Sequence, residues 1–170
     1  MLPEIPLVEV WRDFTTNDGR LARACYLRIR VSLATASAGL VERMVRLDTG
    51  APFGIVPYSL WHNDNLSWQP LGTEFYTPTG QLERNALTWL GVPCFFGELQ
   101  VRLLDEFGQR SRLLRLVAKL PLRPVVSHLE YTALLGYNFL TDNSVSMVVN
   151  PHHRVNAGAL TNIVGHLTIP

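Results

Sequence analysis

A chain of 170 residues, 47% of them hydrophobic, is long enough for one domain with a real core, burying roughly 70% of the surface its unfolded form exposes. Fifteen cationic and fourteen acidic side chains leave a formal charge of +1, so no global field directs the protein to nucleic acid or to an anionic membrane. Fourteen of the cations are Arg and one is Lys119, a skew read as genome composition rather than as a binding surface.

No uninterrupted apolar run approaches the ~20 residues of a membrane helix. The first residues, Met1 to Pro6, lack a cationic segment followed by an apolar one. A soluble cytoplasmic protein with no membrane and no nucleic-acid partner is therefore expected. Cys25 and Cys94 have no CxxC spacing and read as two buried free thiols in a reduced compartment.

In chain order, Val8 to Trp11 alternates apolar and polar, Asn17-Asp18-Gly19 supplies a turn, and Ala24 to Leu33 alternates again, a hairpin signature. In the second run Tyr26, Arg28, Arg30 and Ser32 share one face, with Leu27, Ile29, Val31 and Leu33 on the other. A loop of small residues, 34–39, leads into Leu40 to Leu47, which delivers Asp48 at a strand end. Pro57 to Trp61 suggests a helical turn, and 62–86, rich in Asn, Asp, Pro and Gly, reads as loop with short extended pieces.

Leu87 to Leu104 is β-prone and broken at Gly91-Val92-Pro93. Asp105 to Gly108 turns the chain so that Ser111 to Leu120 returns as a partner strand. Leu134-Leu135-Gly136 then precedes a short helix, Val145 to Val149 a further strand, and Ile163 to Ile169 alternates once more. Almost nothing sustains a 3.6-residue period, so one mostly β domain over residues 1–170 is predicted.

The chemistry concentrates at Val45-Arg46-Leu47-Asp48-Thr49-Gly50-Ala51. An aliphatic approach, Asp-Thr-Gly, a small residue and a second apolar run at Ile55-Val56-Pro57 together resemble the active-site loop of retropepsin-like aspartic proteases. Leu134-Leu135-Gly136-Tyr137-Asn138, its Gly136 lying 88 positions after Asp48, resembles the second signature of that family: aliphatics, Gly, a variable residue, Asn or Asp, then a helix. The resemblance runs from about Ala22 to Val149.

It implies a closed acid-protease-type β-barrel with one lobe per chain. Residues 1–21 would form an N-terminal hairpin extension, and 151–170 a tail that either enters a dimer interface or closes its own domain. No second Asp-[Ser/Thr]-Gly is present, so the implied enzyme is a homodimeric endopeptidase without a cofactor, acting on an extended peptide or protein. Two carboxylates held about 3 Å apart cannot both ionise cheaply and share one proton, an effect for which aspartic proteases are the standard example. One carboxylate takes a proton from water while the other gives one to the carbonyl oxygen, and each chain supplies one Asp48.

By the same resemblance Thr49 hydrogen-bonds across the dimer, Gly50 lets amides approach the carboxylates, and Ala51 lies beneath substrate. Leu135, Gly136 and Asn138 are structural, packing against the aspartate loop. Trp89-Leu90-Gly91-Val92-Pro93 stands where the family's flap hairpin lies, although Pro93 departs from the glycine-rich tips of the viral members. Read without the family, the same residues describe an Asx turn and a surface hairpin. A catalytically silent dimerisation or peptide-binding module, and an unrelated β-barrel with a chance Asp-Thr-Gly, are the competing classes. The adjacent pair His152-His153 is not a metal site, because neighbouring strand residues point to opposite faces.

Overall fold

The computed structural model describes residues 4–72 and 88–170. Twelve strands among the described residues join in one sheet. They are β1 (Glu4–Thr15), β2 (Leu21–Ala34), β3 (Leu40–Asp48), β4 (Gly54–Ile55), β5 (Gln69–Gly72), β6 (Thr88–Trp89), β7 (Val92–Leu103), β8 (Leu114–Pro121), β9 (Leu134–Gly136), β10 (Ser146–Val149), β11 (Val155–Ala157) and β12 (Leu160–Thr168). Helices are few: α1 (Tyr58–Trp61), a 3-10 turn over His128–Tyr131, and α2 (Tyr137–Asp142). None of the described helices is long and apolar enough to cross a membrane. The mostly β expectation therefore holds; of the loop expected over 62–86, residues 73–86 lie outside the described residues.

The strands pair in the order β10-β12-β1-β2-β3-β9-β4-β8-β7-β5, with β11 on β12 and β6 on β7. In addition β2 pairs β7 (Val31↔Leu103, Leu33↔Val101), so the pairings from β2 through β3, β9, β4, β8 and β7 return to β2. Period-two alternation explains what lies inside this ring. Ile29, Val31 and Leu33 of β2, Val45 and Leu47 of β3, Leu99, Val101 and Leu103 of β7, and Leu114 and Leu116 of β8 belong to one buried cluster with Leu135 and Phe139. Burying each such side chain contributes roughly 1.5–3 kcal/mol.

The first hairpin is longer than Val8 to Trp11 suggests, because β1 continues to Thr15 in register with β2 as far as Leu21. From Trp11 to Cys25 this ribbon is mostly exposed, and that corrects the expectation of two buried thiols: Cys94 is buried, Cys25 is not. Both are free. Burial pushes the Cys94 thiol up to about 11. Desolvation, aided by a hydrogen bond to the Glu9 carboxylate, does the same for Cys25. Glu9 is itself buried and is gripped by Arg154, whose Nε donates to Oε2 at 2.7 Å, tying the stretch before β11 to β1. β12 lies between β1 and β10 of its own chain, with Glu4↔Thr168 and Ser146↔Thr168 in register on its two sides.

Candidate functional site

Asp48 is the last residue of β3, where the ladder to β9 ends. The two strands run parallel, with Arg46↔Leu134, Leu47↔Leu135 and Asp48↔Gly136 in register. The next strand, β4, does not return beside β3. It pairs with the far side of β9 (Ile55↔Leu134) and with β8 (Gly54↔Ala118). The loop 49–53 must therefore arch across the end of β9, which places it over Gly136.

That crossing explains why position 136 has no side chain. A Cβ there would lie 2.4 Å from the Phe53 carbonyl oxygen and 2.7 Å from that of Ala51. The backbone at Gly136 is ordinary extended chain (φ −84°, ψ 177°), so the requirement is closeness of approach rather than conformational freedom. α2 begins at the next residue, and its first amides, which no helix can satisfy internally, find acceptors in the arch. Tyr137 N–H donates to Ala51 O at 2.7 Å and Asn138 N–H to Pro52 O at 3.0 Å. Behind the crossing Leu135 is fully buried and Phe139 nearly so. Asn138 thus contributes through its backbone N–H, a part any residue but proline could supply.

Within the loop, Gly50 N–H donates to Asp48 Oδ1 at 3.0 Å, and Ala51 N–H to Asp48 O at 3.2 Å. The Asp48 side chain keeps 33% of its exposure, and Thr49 and Gly50 are exposed on the single chain. Asp48 opens on a cavity of about 240 Å³ lined by Arg46, Asp48, Ala51, Ile55, Trp89, Leu129, Thr132 and Leu134.

Trp89 reaches this cavity from the β6–β7 hairpin, the segment read from sequence as the flap. Thr88↔Pro93 and Trp89↔Val92 are its paired rungs, and Leu90 and Gly91 form the two-residue tip with φ of 47° and 77°. Positive φ at both tip positions is the type I′ pattern that matches the twist of a hairpin. Pro93 lies on the strand beyond the tip, where its carbonyl accepts Leu122 N–H at 3.0 Å. It lacks only a donor, which accounts for how a proline is tolerated there.

Several cavity residues escaped the sequence reading. Arg46 had a usable signal, since alternation puts it on the face of Asp48, two residues away. Its guanidinium stands 4.0 Å from Asp48 Oδ2 and 4.0 Å from the centre of the Tyr26 ring. Leu129 and Thr132 had none, because they arrive on a 3-10 turn fixed by a distant contact. Glu130, 3% exposed, accepts hydrogen bonds from Ser59 N–H (2.7 Å), Ser59 Oγ (2.9 Å) and Val125 N–H (2.8 Å), which moors that turn to α1.

No protein-family model matches the chain, and no curated protein matches it.

Proposed function

We propose that the protein is one half of a homodimeric, retropepsin-like aspartic endopeptidase, its ring of strands serving as an acid-protease-type barrel. The observation that carries this reading is the register Asp48↔Gly136, with the Asp-Thr-Gly-Ala loop arched over the start of α2. Two signatures 88 positions apart in sequence become one unit, an arrangement that an isolated Asx turn would not need. The cavity shared by Asp48 and Trp89 supports the assignment of the β6–β7 hairpin as the flap.

In this mechanism a second copy brings its own Asp48 to face the first. A water held between the two carboxylates loses a proton to one of them as it attacks the peptide carbonyl carbon, and the other carboxylic acid protonates the carbonyl oxygen. The Gly50 amide holds Oδ1 of each aspartate in place. Trp89 on the closing hairpin and the apolar Ile55 and Leu134 exclude bulk water from the bound peptide. The exposure of Thr49 and Gly50 beside a half-buried Asp48 suits a surface that a second copy covers.

The test is hydrolysis of an unstructured protein, or of the chain itself, at mildly acidic pH by wild type and by Asp48→Asn. Cleavage by wild type alone is expected; equal activity in both removes the enzyme and leaves a binding module. Sedimentation equilibrium checks the stoichiometry, and a strict monomer at high concentration contradicts a shared site.

A further inference from the structure

Arg46 lines the candidate cavity. Among the described residues its only acidic neighbour is Asp48, at 4.0 Å, too long for a hydrogen bond. The guanidinium is nevertheless held, lying over the Tyr26 ring with its side chain 28% exposed. Attraction to an aromatic face holds the guanidinium in place while leaving its N–H donors available.

Directly across the β2–β3 ladder from Arg46 stands Arg28, whose Nε is buried with no hydrogen-bond partner among the described residues. Like charges facing each other across a ladder are unfavourable. On the same face Arg30 pairs with Glu42 at 3.8 Å, whereas beside Arg46 the described residues offer Asp48 as the one acidic partner. A cationic fork held over an aromatic ring and short of acceptors suits a planar anion.

We infer that Arg46 is a specificity residue that receives a carboxylate of the substrate, selecting peptides with an acidic group beside the apolar residue that fills the rest of the cavity. Ile55, Leu134, Leu129 and Trp89 take the apolar neighbour, and the guanidinium takes the carboxylate in a forked pair. The inference rests on reading the cavity as a peptide site. It adds the chemical class of the peptide.

The experiment pairs binding with cleavage, both using the full chain. Two non-cleavable peptides, each with a hydroxyethylene group in place of the scissile amide and an amidated C-terminus, differ only in Glu or Gln next to a Leu-Phe core. A third carries Gln and a free C-terminus. Calorimetry with wild type is expected to give about ten- to hundredfold tighter binding of the Glu peptide than of the Gln peptide, the range of a charge-assisted hydrogen bond. A gain confined to the free C-terminus would instead make a terminal carboxylate the group received. Arg46→Gln is expected to bring the Glu-to-Gln ratio near one, and Arg46→Lys to leave it intermediate. Equal binding of all three peptides by wild type, or binding of none, overturns the inference, as does a preference that survives Arg46→Gln. Cleavage lost in Asp48→Asn alongside equal binding sinks the carboxylate site but not the protease. Acid-selective binding with no cleavage by wild type sinks the protease and leaves the carboxylate site standing.

Discussion

Replacing Gly136 by alanine adds one methyl group where the aspartate loop crosses β9. The new Cβ would stand 2.4 Å from Phe53 O, 2.5 Å from Phe53 C and 2.7 Å from Ala51 O, against a practical limit of 3.0 Å. The arch must therefore withdraw by at least ~0.6 Å, and since every obstructing atom is backbone no side-chain rotation can relieve the contact. Overpacking of this kind costs about 1–3 kcal/mol. Strain on the Tyr137 and Asn138 hydrogen bonds to the arch adds about 1 kcal/mol for each one lost. Against this, alanine reaches φ −84°, ψ 177° freely and stabilises by about 0.4–1 kcal/mol through the unfolded chain. The net expectation is a loss of about 2–4 kcal/mol. With a urea m-value near 2 kcal/mol/M, that lowers the midpoint by about 1–2 M without changing m. Because the arch carries Asp48 at its start, displacement on the ångström scale is also expected to lower kcat by about 10²-fold in the enzyme proposed. Gly50→Ala, whose Cβ would meet only Asp48 Oδ1 at 3.3 Å, is the comparison and should lose much less stability. An unchanged midpoint for Gly136→Ala, or equal losses at the two positions, refutes the account of the crossing.

Glu130→Ala strips Ser59 N–H and Val125 N–H of their acceptor and should destabilise by about 2–4 kcal/mol in the same urea assay; a change under 0.5 kcal/mol would mean that the 3-10 turn is not moored this way. Leu90 is 56% exposed at φ 47°, so Leu90→Asn should raise stability by about 1 kcal/mol by relieving a left-handed leucine, and a fall in the thermal midpoint would count against the type I′ tip. The hydrogen bond from Arg154 holds the Glu9 carboxyl below its ordinary 4.5 despite burial, so its contribution to stability is full above pH 4.5 and is lost as pH falls through the lower folded value. Stability measured from pH 6 downward should accordingly fall less steeply in Glu9→Gln than in wild type, and parallel curves would show that Glu9 does not titrate with folding.

The strand pattern, the strand end at Asp48 and the strand-to-helix step at Leu134-Leu135-Gly136 were legible in the sequence because each rests on local physics. Alternation marks strands, Asn-Asp-Gly marks a turn, and Leu-Leu-Gly precedes the short helix; the break read at Gly91-Val92-Pro93 falls one residue past the Leu90-Gly91 tip. Even Arg46 was within reach, since a period of two puts it beside Asp48. Other features follow from contacts that no local window contains. The exposure of Cys25 depends on how far the β1–β2 ribbon extends past the core. Leu129 and Thr132 enter the cavity only because Glu130 bonds to Ser59, 71 positions away. By itself the sequence determined that a mostly β chain would end one strand at Asp48 and offer Gly136 nearby in type but distant in number. Only the tertiary structure decided that β9 threads between β3 and β4. A loop that must cross that strand needs a residue without a side chain beneath it, and the pairing of Asp48 with Gly136 is the physical consequence.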